Sequence, residues 1–326
     1  MCGGGENSGS TKAETPSNED LWRAIRKLSS LHDGDMGVVD VVVCGPRAVP
    51  LLRDMLFARE PSGIYETRRR VVEALARLRA DDVLIDYLRN PNAVSDPVEQ
   101  VGEDAVVNAA ARALADSKRA EIIPLLVEWA QRRPLPGVVD ALGRLGVVEA
   151  IPFLVDALVE DECRPSAEEA IRTFGRLASG ALRESAVHSF QPRQPTVSLN
   201  RGRASALKLL AEMGPPSSEL CAALRQLMRD DAPAVAFAAC RICLQSADQA
   251  DASAAVLRLV DLLADADSFI SGDIEKILAE NFVISEPIIR DRLQSDQNAS
   301  TGADSTNRMV EALRRVVVEA RTCSIS

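Results

Sequence analysis

Eight times along the chain a leucine or isoleucine is followed two residues later by an acid, or once by its amide: Leu52/Asp54, Leu84/Asp86, Leu126/Glu128, Leu154/Asp156, Leu182/Glu184, Leu224/Gln226, Leu259/Asp261 and Ile289/Asp291. Two residues further on stands another apolar group: Leu56, Leu88, Ala130, Leu158, Ala186, Met228, Leu263 and Leu293. Successive acid positions lie 32, 42, 28, 28, 42, 35 and 30 residues apart. Steps of that size belong to two-helix repeats, in which no unit buries its own apolar face and neighbours close a common core. A chain of 326 residues would otherwise suggest about two domains, whereas a repeat array predicts one body.

Ile151, Leu154, Val155 and Leu158 fall at i, i+3, i+4 and i+7, one face of a helix, and Asp156 points about 150° away from that face. A second amphipathic segment precedes such helices, as in Arg69 to Leu78, Val138 to Leu145 and Ser166 to Leu177. Short joints such as Arg79-Ala80, Gly146 and Gly214-Pro215-Pro216 permit an antiparallel return. Pro50, Pro124, Pro152 and Pro287 each stand four residues before an acid position. The first turn of a helix tolerates a missing N–H, so the second helix is predicted to begin there.

Hydrophobic residues make up 46% of the chain and aromatic ones 3%, so the core is expected to consist of Leu, Val, Ile and Ala. The net charge is −10, and the stretches 1–100, 101–200 and 201–326 carry −3, −3 and −4. No stretch is a basic module, which argues against nucleic-acid binding. The densest apolar run, Val38 to Val43, is far too short to span a bilayer. The two 42-residue steps mark insertions, Asn90 to Gly102 and His188 to Asn200, and loops on a rigid scaffold are candidate contact sites.

Val138-Val139-Asp140-Ala141-Leu142-Gly143-Arg144-Leu145-Gly146 followed by Glu149-Ala150-Ile151-Pro152-Phe153-Leu154-Val155-Asp156-Ala157-Leu158 resembles the two-helix unit of HEAT-repeat proteins, particularly the bacterial HEAT-like repeats named after phycobilisome (PBS) lyases. The likeness covers about residues 36 to 293 and is strongest over 68–160. It implies an all-α, right-handed α-α superhelix of about eight two-helix repeats with an extra helix at each end, its second helices lining a concave side. On this frame 1–18 is expected to be a flexible Gly/Ser-rich tail, 19–293 the solenoid, 294–307 a polar linker, and 308–326 a C-terminal helix and tail. Glu19 to Leu31 reads as an N-terminal capping helix and Arg308 to Arg321 as its C-terminal counterpart.

Catalytic chemistry finds little support. Only His32 and His188 are available as imidazole bases, and no H-E-x-x-H, G-x-S-x-G or P-loop pattern occurs. Cys240-Arg241-Ile242-Cys243 lies inside an Ala-rich helical stretch, Ala232 to Leu244, where thiols pack rather than react. The His-Glu pairs of the HEAT-like deoxyhypusine hydroxylases are absent, and the acidic balance is unlike that of the HEAT-like DNA glycosylases. No cofactor and no metal are expected. Arg68-Arg69-Arg70 with Arg77 and Arg79 is expected to be a solvated face neutralised by Glu66, Glu73, Asp81 and Asp82.

The acids remain. Stacking would align Asp54, Asp86, Glu128, Asp156, Glu184, Asp261 and Asp291 into a ridge that attracts basic groups, partly cancelled by Arg53, Arg183, Arg225 and Arg290. Tyr87, Trp129 and Phe153, on or beside this ridge, are candidate anchors, with burial between helices as the competing role. The expected function is a non-enzymatic scaffold or adaptor for a protein or peptide partner, basic in character. One alternative is a bilin lyase or isomerase acting with a partner subunit, as the phycobilisome resemblance implies. Another comes from Met1-Cys2-Gly3-Gly4-Gly5, which resembles the mature end of a bacterial lipoprotein and implies lipidation at Cys2. Localisation divides accordingly between cytoplasm and a membrane-anchored place in the bacterial envelope.

Overall fold

The computed structural model describes residues 16–58, 65–90, 92, 94–187, 196–216, 218–264, 268–298 and 304–323. Eighteen α-helices and no strand occur among the described residues, so the all-α expectation is met. The chain divides into two compact units after Glu128.

The first unit contains α1 (Asn18–Lys27), α2 (Gly34–Cys44), α3 (Val49–Phe57), α4 (Glu66–Arg77), α5 (Asp81–Arg89) and α6 (Pro97–Leu114), and α7 (Ile122–Arg132) holds the division. Here α2 packs on α4 and α4 on α6, while α3 packs on α5. The second unit contains α8 (Pro136–Arg144), α9 (Ile151–Asp156), α10 (Arg164–Phe174), α11 (Ser179–Val187), α12 (Val197–Glu212), α13 (Ser218–Leu227), α14 (Pro233–Cys243), α15 (Gln249–Leu262), α16 (Ser268–Glu280), α17 (Phe282–Asn298) and α18 (Asp304–Cys323). Contacts again skip one helix: α8, α10, α12, α14, α16 and α18 touch in turn, as do α9, α11 and α13, and then α15 and α17.

Close approach within the second unit depends on small residues. A Cβ on Gly143 of α8 would lie 2.5 Å from the Ala170 Cβ of α10, so the two helices meet where neither carries bulk. The turn from α8 to α9 passes through Gly146 at φ 65, and the Val147 N–H reaches back to the Leu142 carbonyl at 3.3 Å. The turn from α4 to α5 has the same form, with Ala80 N–H on Leu75 O at 2.9 Å, but the left-handed position is Arg79 at φ 57. A Cβ in that region crowds the following carbonyl, which glycine avoids.

Several boundaries differ from the sequence expectation. The capping helix stops at Lys27 rather than Leu31, because the Ser30 hydroxyl accepts from His32 and Asp33 N–H while Arg70 takes the carbonyls of Leu28 and Ser30. The first insertion is shorter than 90–102: Asp96 caps α6 by accepting from Val98 and Glu99 N–H at 2.8 and 3.1 Å, with Pro97 in the first turn. Thr196 likewise caps α12, so 197–200 is helical, whereas His188 and 189–195 lie outside the described residues. The expected linker 294–307 is helical at its two ends, within α17 and α18.

Proline marks the first turn in α3 (Pro50) and α9 (Pro152), and Pro124 is the third residue of α7. Pro287 instead lies inside α17, which begins at Phe282. That earlier start is held by Ile284 and Ser285 N–H on the Asn281 carbonyl and by the Ser285 hydroxyl on Leu278 O at 2.7 Å. The bond that Pro287 cannot make would go to Val283, which is 93% exposed and so open to water.

Two stability measurements follow. Leu154, fully buried in α9, should destabilise the protein by about 2–5 kcal/mol in Leu154→Ala, read by urea denaturation. Arg79→Gly should stabilise by about 0.5–1 kcal/mol in the same assay, while Arg79→Ala, which keeps the Cβ, should not.

Candidate functional site

The repeated register separates core from surface as its spacing predicts. Leu52, Leu84, Leu126, Leu154, Leu182, Leu224 and Leu259 are 0% exposed and Ile289 is 1% exposed. Asp54, Glu128, Asp156, Glu184 and Asp291 are exposed, and Asp86 and Asp261 are half-buried. Within each unit these acids stand two residues after the buried leucine or isoleucine on alternate helices: α3, α5 and α7, then α9, α11, α15 and α17, with Gln226 in the place on α13.

Arginine neutralises only part of this face. Arg53 Nη2 reaches across from α3 to Asp86 Oδ2 at 2.8 Å, its guanidinium 4.9 Å from the Phe57 ring centroid. Arg292 of α17 lies 3.4 Å from Asp261 of α15. Arg225 and Arg290 turn elsewhere, to Asp251 at 2.5 Å and Glu286 at 2.7 Å. Among the described residues the side chains of Asp54, Asp156, Glu184 and Asp291 make no ion pair. Around Asp156 the protein removes enough water to raise its carboxyl above the ordinary aspartate value.

The aromatic anchors fare differently. Tyr87 is 1% exposed, its ring edge-on to Phe57 at 5.8 Å and its hydroxyl donating to Glu103 Oε1 at 2.5 Å. Trp129 is buried too, and Phe153 half-buried. Tyr87 and Trp129 are therefore core residues rather than surface anchors. The reason is geometric: the residue after the acid lies about 60° round the helix from the buried leucine, still on the core arc. Leu227 and Leu262 occupy that position on α13 and α15 and are buried as well.

The arginine cluster is solvated only in part: Arg77 and Arg79 are exposed and Arg77 pairs with Glu73 at 2.6 Å as expected, whereas Arg68 and Arg70 turn inward. Arg70 is buried, donating from Nη1 to Leu28 O at 3.2 Å and Ser30 O at 2.7 Å, and from Nε to Asp35 at 2.9 Å. Arg68 Nη2 donates to Glu103 Oε2 at 2.7 Å, and Arg69 holds Glu66. Glu103, 2% exposed, also accepts from Asn92 Nδ2 at 3.1 Å, so its buried charge is met from α4, α5 and the following loop. Burial, with Glu103 alongside, pushes the Tyr87 phenol well above its usual range.

Sequence patterns missed one recurrent device. Arg164 Nε donates to Leu158 O at 2.8 Å, Arg203 Nε to Ala186 O at 3.2 Å and Arg258 Nε to Met228 O at 2.8 Å. Each acceptor is the second apolar residue of the register, at a helix end where carbonyls lack intrahelical partners. The donors follow their acceptors by 6, 17 and 30 residues, so no fixed spacing announces them.

The thiols are inert by placement. Cys240 and Cys243 are 0% exposed, and burial lifts Cys243 to about 12 and Cys240 further still. Burial lifts Cys163 to about 11. Among the described residues no group of three or more His, Cys, Asp or Glu could hold a metal ion, and no helix is long and apolar enough to cross a membrane. Cys2 lies outside the described residues. No protein-family model matches the chain, and no curated protein matches it in sequence.

Two measurements test these assignments. Tyr87→Phe should destabilise by about 1–3 kcal/mol, because it leaves a Glu103 oxygen buried without its donor. Cys163, Cys240 and Cys243 should resist a thiol reagent at pH 8 and react only on unfolding. With folded values raised above the ordinary thiol value, their contribution to stability is complete at lower pH and is lost as pH climbs, because unfolded thiols ionise first. The urea midpoint should accordingly fall between about pH 8 and pH 10.

Proposed function

We propose that the chain is a non-enzymatic, right-handed HEAT-like solenoid that binds a protein or peptide partner along its second helices. Contacts between alternate helices, α2–α4–α6 and α3–α5 in the first unit and α8 through α18, α9–α11–α13 and α15–α17 in the second, support the repeat reading. The observation that carries the function is the set of solvent-facing acids at equivalent register positions, each two residues from a buried leucine or, for Asp291, isoleucine. Asp54, Asp156, Glu184 and Asp291 supply charge that no arginine among the described residues cancels, whereas Asp86 and Asp261 are held by Arg53 and Arg292. Uncancelled carboxylates on a folded surface attract Lys and Arg side chains at a range set by salt. A partner segment with basic residues spaced by apolar ones fits such a face.

The test replaces the unpaired acids rather than the paired ones. Asp156→Asn, Glu184→Gln and Asp291→Asn combined should leave helical circular dichroism unchanged. At low salt the triple variant should bind a fluorescein-labelled peptide of alternating Lys and Leu about tenfold more weakly, and the difference should shrink at high salt. Equal binding by both proteins at every salt concentration would remove these acids from the interface.

A further inference from the structure

We infer that the groove between α13 and α15 is a subsite for a carboxylate of the partner, flanked there by an aliphatic side chain. The inference rests on the proposal that second helices form the binding face, and it changes what that face selects. The groove, about 460 Å³, is lined by Arg225, Arg229, Arg258, Ala254, Leu257 and Asp261 among others. It lies at the one step of the register where the acid gives way to an amide, Gln226.

The charges in the groove do not cancel. Arg225 is committed to the buried carboxylate of Asp251 through Nε at 2.5 Å and Nη2 at 3.0 Å. Asp261 is faced by Arg292 at 3.4 Å. Two cations are left. Arg229 is exposed, and its side chain makes no hydrogen bond or ion pair among the described residues. Arg258 is half-buried, with Nε on the Met228 carbonyl at 2.8 Å and its two terminal nitrogens donating to nothing among the described residues. A guanidinium held by one bond and free at its fork loses little freedom on meeting a carboxylate, the planar anion that its geometry matches. Exposed Ala254 and Leu257, the latter 51% exposed, offer apolar surface to a neighbouring aliphatic group. A basic side chain entering here would meet two unpaired arginines and be repelled. The partner is therefore mixed in charge, with an acid and an aliphatic residue seated at α13–α15 and basic residues elsewhere on the face.

Fluorescence anisotropy with the full chain tests this, using a labelled peptide of alternating Glu and Leu beside its Gln-Leu isostere. The Glu-Leu peptide should bind saturably and the amide version about tenfold more weakly. Arg229→Glu, at an exposed side chain without a partner among the described residues, should lower Glu-Leu affinity about tenfold with circular dichroism and urea midpoint unchanged. Arg314→Glu, the same charge change on an exposed position of α18, should have little effect. No binding of the Glu-Leu peptide, equal binding of acid and amide, no loss in Arg229→Glu, or an equal loss in Arg314→Glu would each overturn the subsite. Running the Lys-Leu peptide alongside separates the two ideas. Acid-dependent Lys-Leu binding without Glu-Leu binding removes only the groove, and the converse removes the acidic face while the groove stands.

Discussion

The rest of the structure depends on one leucine or isoleucine on each alternate helix, from Leu52 of α3 to Ile289 of α17, being removed from water. The helices are short: α3, α5 and α11 have nine residues each and α9 has six, lengths at which an isolated helix does not hold in water. Their stability comes from tertiary packing, to which a fully buried leucine contributes about 1.5–3 kcal/mol. Burial at that position also orients the rest of the helix. Once the leucine faces inward, the residue two places on must face outward, and an acid there remains hydrated.

Short helices multiply helix ends, and ends leave carbonyls without partners. Arg70, Arg164, Arg203 and Arg258 answer this by carrying guanidinium groups onto the terminal carbonyls of other elements. Arg203 adds an ion pair to Asp230 at 2.7 Å and Arg70 one to Asp35. Arginine suits the task because its fixed fork can hold a carbonyl and a carboxylate at once. These four guanidinium groups are thereby drawn into structure. Among the described residues the charge presented to solvent therefore differs from what composition suggests: more acidic where Asp54, Asp156, Glu184 and Asp291 make no ion pair, and basic at Arg229 and the terminal nitrogens of Arg258.

The helical periods around Val139, Ile171 and Val72 were legible because each helix states its own apolar face locally, and α4, α8, α10 and α14 lie within a few residues of expectation. Helix ends were legible only where the cap is local. Asp96-Pro97-Val98-Glu99 carries such a start signal, and a Pro/Asn-rich composition concealed it. The stop of α1 at Lys27 was legible only in part: the Ser30 turn is local, but the carbonyls of Leu28 and Ser30 are taken by Arg70, 42 residues from Leu28. Pro287 misled for a related reason: its helix is anchored by Asn281 and Ser285 against the end of α16, a contact that outweighs one missing N–H.

By itself the sequence determined that the protein is helical, that a helix runs through each Leu-x-acid position, and which side of it faces the core, because periodicity and solvation act over a single turn. Tertiary structure alone decided which charges remain available. Asp86 and Asp54 occupy the same register position, yet one meets Arg53 from a neighbouring helix and the other meets none. Tyr87 looked like a surface anchor and became a buried donor to Glu103. Pairing depends on what a neighbouring element brings within about 3 Å, and that distance is set by packing between helices rather than by position along the chain.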